Sequence, residues 1–192
     1  MRRMGWKKQS GKIALCTGAY MIVFLVILVS VQLQMRVFML TAAYMEDALA
    51  TSNLASAVAD VREYGKSHII RIKSPDEAYR IYCEALKQNL SLDDNWESRQ
   101  KKLISGTVEI LKYEIYNVEK NNITIYSYGA EGESVKKIPN GMGSVYTPEG
   151  VLVESTSVYS KIGFPVEGLF GIKIYAEKEK TVDIVANRTG GN

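Results

Sequence analysis

Histidine is almost missing from this 192-residue chain: His68 is the only one, with no second histidine and no cysteine close by in sequence. That pattern does not supply a zinc ligand set. No Ser-His-Asp constellation and no glycine-rich phosphate loop ahead of a helix can be assembled from the sequence, so no catalytic residue, metal ligand or cofactor site is expected. There are two cysteines, Cys16 and Cys83. They fall in segments of opposite character and are not expected to pair. Acid is absent before Glu46, whereas Arg2, Arg3, Lys7, Lys8 and Lys12 stand together at the start. The rest of the chain carries 19 basic and 21 acidic residues and is nearly neutral. A near-neutral body lacks the basic face that phosphate neutralisation demands, which excludes nucleic acid as a partner.

What the chain has instead is a long uncharged run. Residues 13–35 carry no charged side chain, and 13–31 are almost wholly apolar. A helix of about 20 such residues crosses the hydrocarbon core while satisfying its own backbone amides. Five cations before the run against the single Arg36 after it predict a cytoplasmic N-terminus and an external body. A cleaved secretory signal fits poorly, because the run is long and "VSVQLQMRVFML" offers no small-x-small site. The lipid bilayer is thus the first expected partner.

The helical pattern does not stop at Arg36. "VFMLTAAYMEDALATSNLASAVADVREYG" has no proline and no glycine before Gly65. Val37, Leu40, Ala43, Tyr44, Ala50, Leu54, Ala57, Val58 and Val61 recur at spacings of three, four or seven, one face of a helix that Asp47 partly interrupts. A continuous helix over about 13–64 would be roughly 75–80 Å long. Gly18, Ala19 and Ser30 are small residues at which another helix can approach within the membrane. Ala43, Ala50, Leu54, Ala57 and Val61 are the corresponding packing positions beyond it.

"SPDEAYRIYCEALKQNLSL" carries helix-start signals at Ser74 and Pro75, with Glu77 placed for a capping box. A helix is expected over 75–90, with Ala78, Ile81, Tyr82, Ala85, Leu86 and Leu90 inward. Asp93 and Asp94 read as a solvated turn. From residue 107 the pattern turns to strands: "TVEILKYEIYNV" with a bulge near Ile110–Leu111, the turn "EKNN", then "ITIYSYG". "VLVESTSVYSKIG" reads as one long strand, "FPVEGLFG" as a break, and "IKIYAEKEKTVDIVAN" as the close. Short connections without intervening helices imply an antiparallel sheet. The expected organisation is a basic tail (1–12), a transmembrane helix (13–35), a helical stalk (36–66) and an extracytoplasmic α+β domain (67–192). Tyr113, Tyr116, Tyr126 and Tyr128 offer an alternative use for the sheet, as a binding surface of an envelope adaptor.

This order of a basic leader, a single span running into the alanine-rich "ALATSNLASAVADV" and a closing "STSVYSKIGFPVEGLFGIKIYAEKEKTVDIV" resembles the TadE-like pseudopilins of the tight-adherence (Flp) pilus system. The resemblance implies a pilin-like fold and a structural, non-enzymatic role in the cytoplasmic membrane. It also implies partners among other pilus subunits and inner-membrane platform proteins. It marks Gly11 as a leader-processing position. The chain departs from the pattern there, since the fifth residue after Gly11 is Cys16 where prepilin substrates carry a glutamate.

Overall fold

The computed structural model describes residues 6–57, 65, 70–99, 103–130, 132–168 and 171–184, with 6–10 described by backbone alone. It falls into two compact units, Met1–Leu40 and Thr41–Asn192. Helix α1 runs from Trp6 to Ser56 and contributes to both. No proline interrupts it, and the hydroxyls of Thr17 and Ser30 donate back to the carbonyls of Ile13 and Val26 (2.9 and 2.8 Å), so these polar groups are satisfied within the helix. In the first unit Ile13 to Val29 expose large apolar side chains on every side. This is one helix long and apolar enough to cross a membrane.

The second unit is α+β. Its helical layer comprises the Thr41–Ser56 part of α1 and helix α2 (Pro75–Asn89). The expected stalk is therefore divided: its 41–56 portion is built into the second unit, and Val58 and Val61 lie outside the described residues. Helix α2 starts at the expected place, with Pro75 in its first turn and the Ser74 carbonyl accepting from the Ala78 amide (3.0 Å). The capping box does not form. Ser74 makes no side-chain cap, and the Glu77 carboxylate is held by Arg80, which also grips Glu84. The helix ends where Ser91 takes a left-handed conformation and the Leu92 amide reaches back to the Lys87 carbonyl (2.8 Å). Asp93 then accepts from the amides of Asn95 and Glu97 (both 2.9 Å), the turn expected there.

Five strands follow: β1 (Glu109–Glu119), β2 (Asn122–Gly129), β3 (Ser134–Ile138), β4 (Ser157–Glu167) and β5 (Lys173–Asp183). They form one antiparallel sheet in the order β3-β2-β1-β4-β5. The β1–β4 register slips between Ile110 and Lys112, so the bulge falls at Leu111 as the phase change indicates. Gly129 sits opposite it at φ +152°, where a Cβ would meet the Leu111 carbonyl oxygen at 2.6 Å; only glycine fits this approach.

Strand β4 departs from the expectation. It begins at Ser157 and continues through Phe164, Pro165 and Val166, where the sequence suggests a break. Proline is tolerated because the β1 ladder ends at the Glu109–Gly163 pair. The Pro165 carbonyl on that side accepts from the Ser105 amide (2.9 Å), and no ladder amide is required of Pro165 there. Residues 151–156 contribute only an isolated Tyr146–Leu152 bridge.

The sheet is covered on both faces. One face packs Tyr113, Ile115, Val158, Ile162 and Phe164 beneath the helices. The other packs Tyr116, Ile123 and Tyr159 against Met142, Val145 and Val153 of the β3–β4 crossover. Strand β1 is consequently buried at every position from Tyr113 to Asn117.

Candidate assembly surface

The topology residues Arg2 and Arg3 lie outside the described residues, and Lys7 and Lys8 are placed by backbone alone in the first turns of α1. Lys12 is exposed. Gly11, Gly18 and Ala19 are exposed along the same helix, with open space around both glycines; Ser30 is half-buried. Among the described residues of the first unit, nothing covers the side chains of the span.

In the second unit α1 turns an unexpected side toward the sheet. Thr41, Met45, Ala48, Leu49, Ser52, Asn53 and Ser56 are buried, and four of these seven are polar. Their hydroxyls and the Asn53 amide nitrogen find partners across the interface or within the helix, whereas Asn53 Oδ1 is buried with no hydrogen-bond partner among the described residues. Asn53 Nδ2 donates to the Lys180 carbonyl (2.9 Å), and the Tyr113 hydroxyl donates to Ser56 Oγ (2.9 Å). Asn89 Nδ2 donates to Ser52 Oγ (3.0 Å), and the Tyr44 hydroxyl donates to the Asn89 carbonyl (2.5 Å). Paired in this way, buried polar groups carry little desolvation penalty, and their small size lets the helix sit close to the strands.

The alanine-rich stripe lies on the other side. Positions 43, 47, 50, 54 and 57 fall within about 80° of arc at 100° per residue, opposite the centre of the buried face. Ala43 is exposed and Leu54 is 57% exposed; Ala50 and Ala57 are half-buried; Leu40 is exposed one turn earlier. The apolar pattern read from the sequence is therefore not the face that folds the domain. It is left open, with Asp47 in its middle.

Glu46 fixes the helix laterally. Its carboxylate meets Lys180 at 2.6 Å and Lys178 at 2.9 Å, both from β5. These hydrogen bonds and charges hold its pKa down at about 2. No local signal in the sequence marks this clamp, because Glu46 and its partners are joined only by the fold.

The four tyrosines considered as an alternative do not share one exposed face. Tyr113, Tyr116 and Tyr128 are buried and Tyr126 is half-buried, and Tyr116 lies on the opposite face of the sheet from the other three. Tyr79, Tyr82, Tyr113 and Tyr128 instead make an aromatic cluster between α2 and the sheet, with Tyr79 stacked on Tyr128 at 4.7 Å. The Tyr128 hydroxyl donates to Asp76 (2.6 Å), and burial pushes the Tyr79 hydroxyl up to about 12. These groups stay protonated near neutrality and serve packing.

Beside the cluster a shallow open groove of about 430 Å³ is lined by Tyr79, Trp96, Val108, Glu109, Leu111 and Ala130. Lys87 lies over the Trp96 ring at 4.8 Å. Glu109 is the only acid on the lining, so the groove does not assemble an acid–base pair. Among the described residues, no group of three or more His, Cys, Asp or Glu side chains converges as a metal site would require. Both cysteines are free thiols. His68 lies outside the described residues. Compared with known protein families, with curated proteins and with solved structures, the chain matches none of them.

Proposed function

We propose that the protein is a membrane-anchored, non-enzymatic structural subunit of a tight-adherence pilus or related secretion assembly, similar to the TadE-like pseudopilins. Its N-terminus lies in the cytoplasm and its α+β domain outside the cytoplasmic membrane, as the clustered leader cations favour. It acts by packing α1 against other subunits and inner-membrane platform proteins. One observation carries this reading: α1 uses a hydrogen-bonded polar face to hold its own sheet and leaves Leu40, Ala43 and Leu54 uncovered on the opposite side. A helix needed only for the domain core would bury Leu54 as it buries Leu49, and would solvate its serines. The exposed small residues continue the character of Gly18 and Ala19 in the span, so one helix supplies contact positions both inside and beyond the bilayer.

The test is replacement of Ala50, Leu54 and Ala57 by glutamate, followed by affinity purification of the membrane-extracted protein. Partner subunits are expected to be lost from the eluate while the outer domain keeps its cooperative unfolding. Unchanged co-purification of the same partners by a folded triple variant would refute the role of this helix face.

A further inference from the structure

Strand β5 changes character along its length. From Glu177 to Lys180 each charged side chain has a partner: Lys161 on Glu177, Glu46 on Lys178 and Lys180, and the Tyr159 hydroxyl on Glu179. At the other end Ile172, Ile174 and Tyr175 are 62, 46 and 53% exposed, with exposed Lys173 among them. Isolated exposed apolar residues are ordinary, but three within four positions at the start of an edge strand leave apolar area uncovered on both of its faces, Ile174 on one and Tyr175, whose hydroxyl donates to Glu109 (3.2 Å), on the other.

The place of this patch in the domain is fixed by contacts. Ser56 bonds Tyr113, whose row across the sheet includes Ser160 and Lys180. From that row Thr41 lies fifteen residues back along α1, about 22 Å, and Ile174 six residues back along β5, about 20 Å. Glu46 bonded to Lys178 shows that the two elements run toward the same end. A second route agrees. Tyr44 bonds Asn89 at the end of α2; the Arg99 amide bonds the Ser91 carbonyl; the Ser98 amide bonds the Gly106 carbonyl. Gly106 abuts Pro165, the partner of Tyr175 in the ladder. The end of the domain at which α1 enters is thus the end that carries Ile172–Tyr175 and the exposed Arg99.

Thr41 follows the last uncharged residue of the span, Met35, by six residues, which reach at most about 20 Å even when fully extended. A domain of this size is about 40 Å across. Whatever angle the tether adopts, the Thr41 end stays near the bilayer surface. We propose that Ile172, Ile174 and Tyr175, flanked by Lys173 and Arg99, form a second contact with that bilayer, seated at the headgroup boundary. Isoleucine enters the acyl edge, tyrosine suits the interface, and the exposed Arg99 meets anionic headgroups, while Lys173 stands opposite Glu167 in the ladder. The inference rests on residues 13–35 crossing the membrane and not on the pilus assignment.

The experiment uses the full chain with Cys16 and Cys83 replaced by serine. A single cysteine at Ile172 or at Val135 carries an environment-sensitive nitrobenzoxadiazole dye. Val135 is a matched control: it is 61% exposed, and its row, through Ile115, Val158 and Val182, lies about 30 Å along the strands from the Glu167–Lys173 pair. Protein is reconstituted in vesicles of phosphatidylcholine and phosphatidylglycerol and recovered by flotation. The dye at 172 is expected to shift to the blue and to lose most of its quenching by aqueous iodide, whereas the dye at 135 stays fully quenched. Adding Ile174→Asp should return the 172 dye to water. Floated protein whose 172 and 135 dyes are equally quenched overturns the bilayer contact and leaves the span intact. Protein that does not float overturns the span, and this contact with it.

Discussion

The two halves of α1 are built of one uninterrupted helix and obey opposite rules. From Ile13 to Val29 every direction exposes large apolar side chains. After Thr41 the covered side mixes Met45, Ala48 and Leu49 with hydroxyls and an amide, and the uncovered side holds Ala43 and Leu54. The contrast shows that apolar patterning in this chain reports which surfaces need a non-aqueous neighbour, not which surfaces are already covered. In the proposed reading lipid would serve the first half. In the second half the domain core is joined to the helix by Met45, Ala48 and Leu49 and by specific hydrogen bonds, and the opposite apolar side would be left for another subunit.

The largest effect is expected from breaking the first half. Val23→Arg together with Ile27→Arg places two cations near the middle of the span, at about 2.5–3.5 kcal/mol each on the insertion scale. The double variant should leave the carbonate-resistant membrane fraction. Leu54→Arg, in the second half, should remain in it, since position 54 lies well beyond the candidate span over residues 13–35.

The second half is then tested by an inversion of the usual order. Tyr82 is fully buried between α2 and Tyr113. Tyr82→Ala should destabilise the α+β domain by about 3–5 kcal/mol, the range for large aromatic truncations. Asn53→Ala strands the Lys180 carbonyl under the helix and should cost about 1–3 kcal/mol. Leu54→Ala, on the exposed side, should stay within about 0.5 kcal/mol. Chemical denaturation of the three variants gives the ranking directly. A leucine that outweighed its neighbouring asparagine would show that the helix is seated the other way round.

Much of this architecture was legible locally. The span, the start of α2, the β1–β2 hairpin and the bulge at Leu111 each follow from a period, a breaker or a phase slip within a dozen residues. Most of what escaped was decided at a distance. One miss was local: the capping box at Ser74 lost to Arg80, three residues along the same helix, which competes for Glu77. Strand β4 ran through Pro165 because β1 had already ended beside it and Ser105 took the exposed carbonyl. The seating of α1 was hidden for the same reason: Ser52, Asn53 and Ser56 look like a solvated face until Asn89, Lys180 and Tyr113 are brought to them. The small residues of the stripe were readable as contact positions, but the sequence did not reveal that the domain itself leaves them open.

The smallest effect sharpens the comparison at the one ion-paired point of the second half. Glu46 is held at about 2, below its ordinary value of 4.5, first by its hydrogen bonds to Lys180 and Lys178 and then by their charges. A carboxylate whose folded pKa is depressed favours the native state at pH values above the unfolded pKa, and this contribution disappears as pH falls toward the folded one. Stability should therefore decline between about pH 4.5 and 2 in the wild-type chain, with the Glu46 share of the decline absent in Glu46→Gln. The side chain is 39% exposed, so solvent and salt screen the pair and the difference should shrink as ionic strength rises. Thermal melts of both chains across that pH window, at low and high salt, separate this clamp from the neutral hydrogen bonds around it. Those neutral bonds carry no such pH dependence, so a Glu46→Gln chain that kept the full acid slope would place the titrating group elsewhere in the domain.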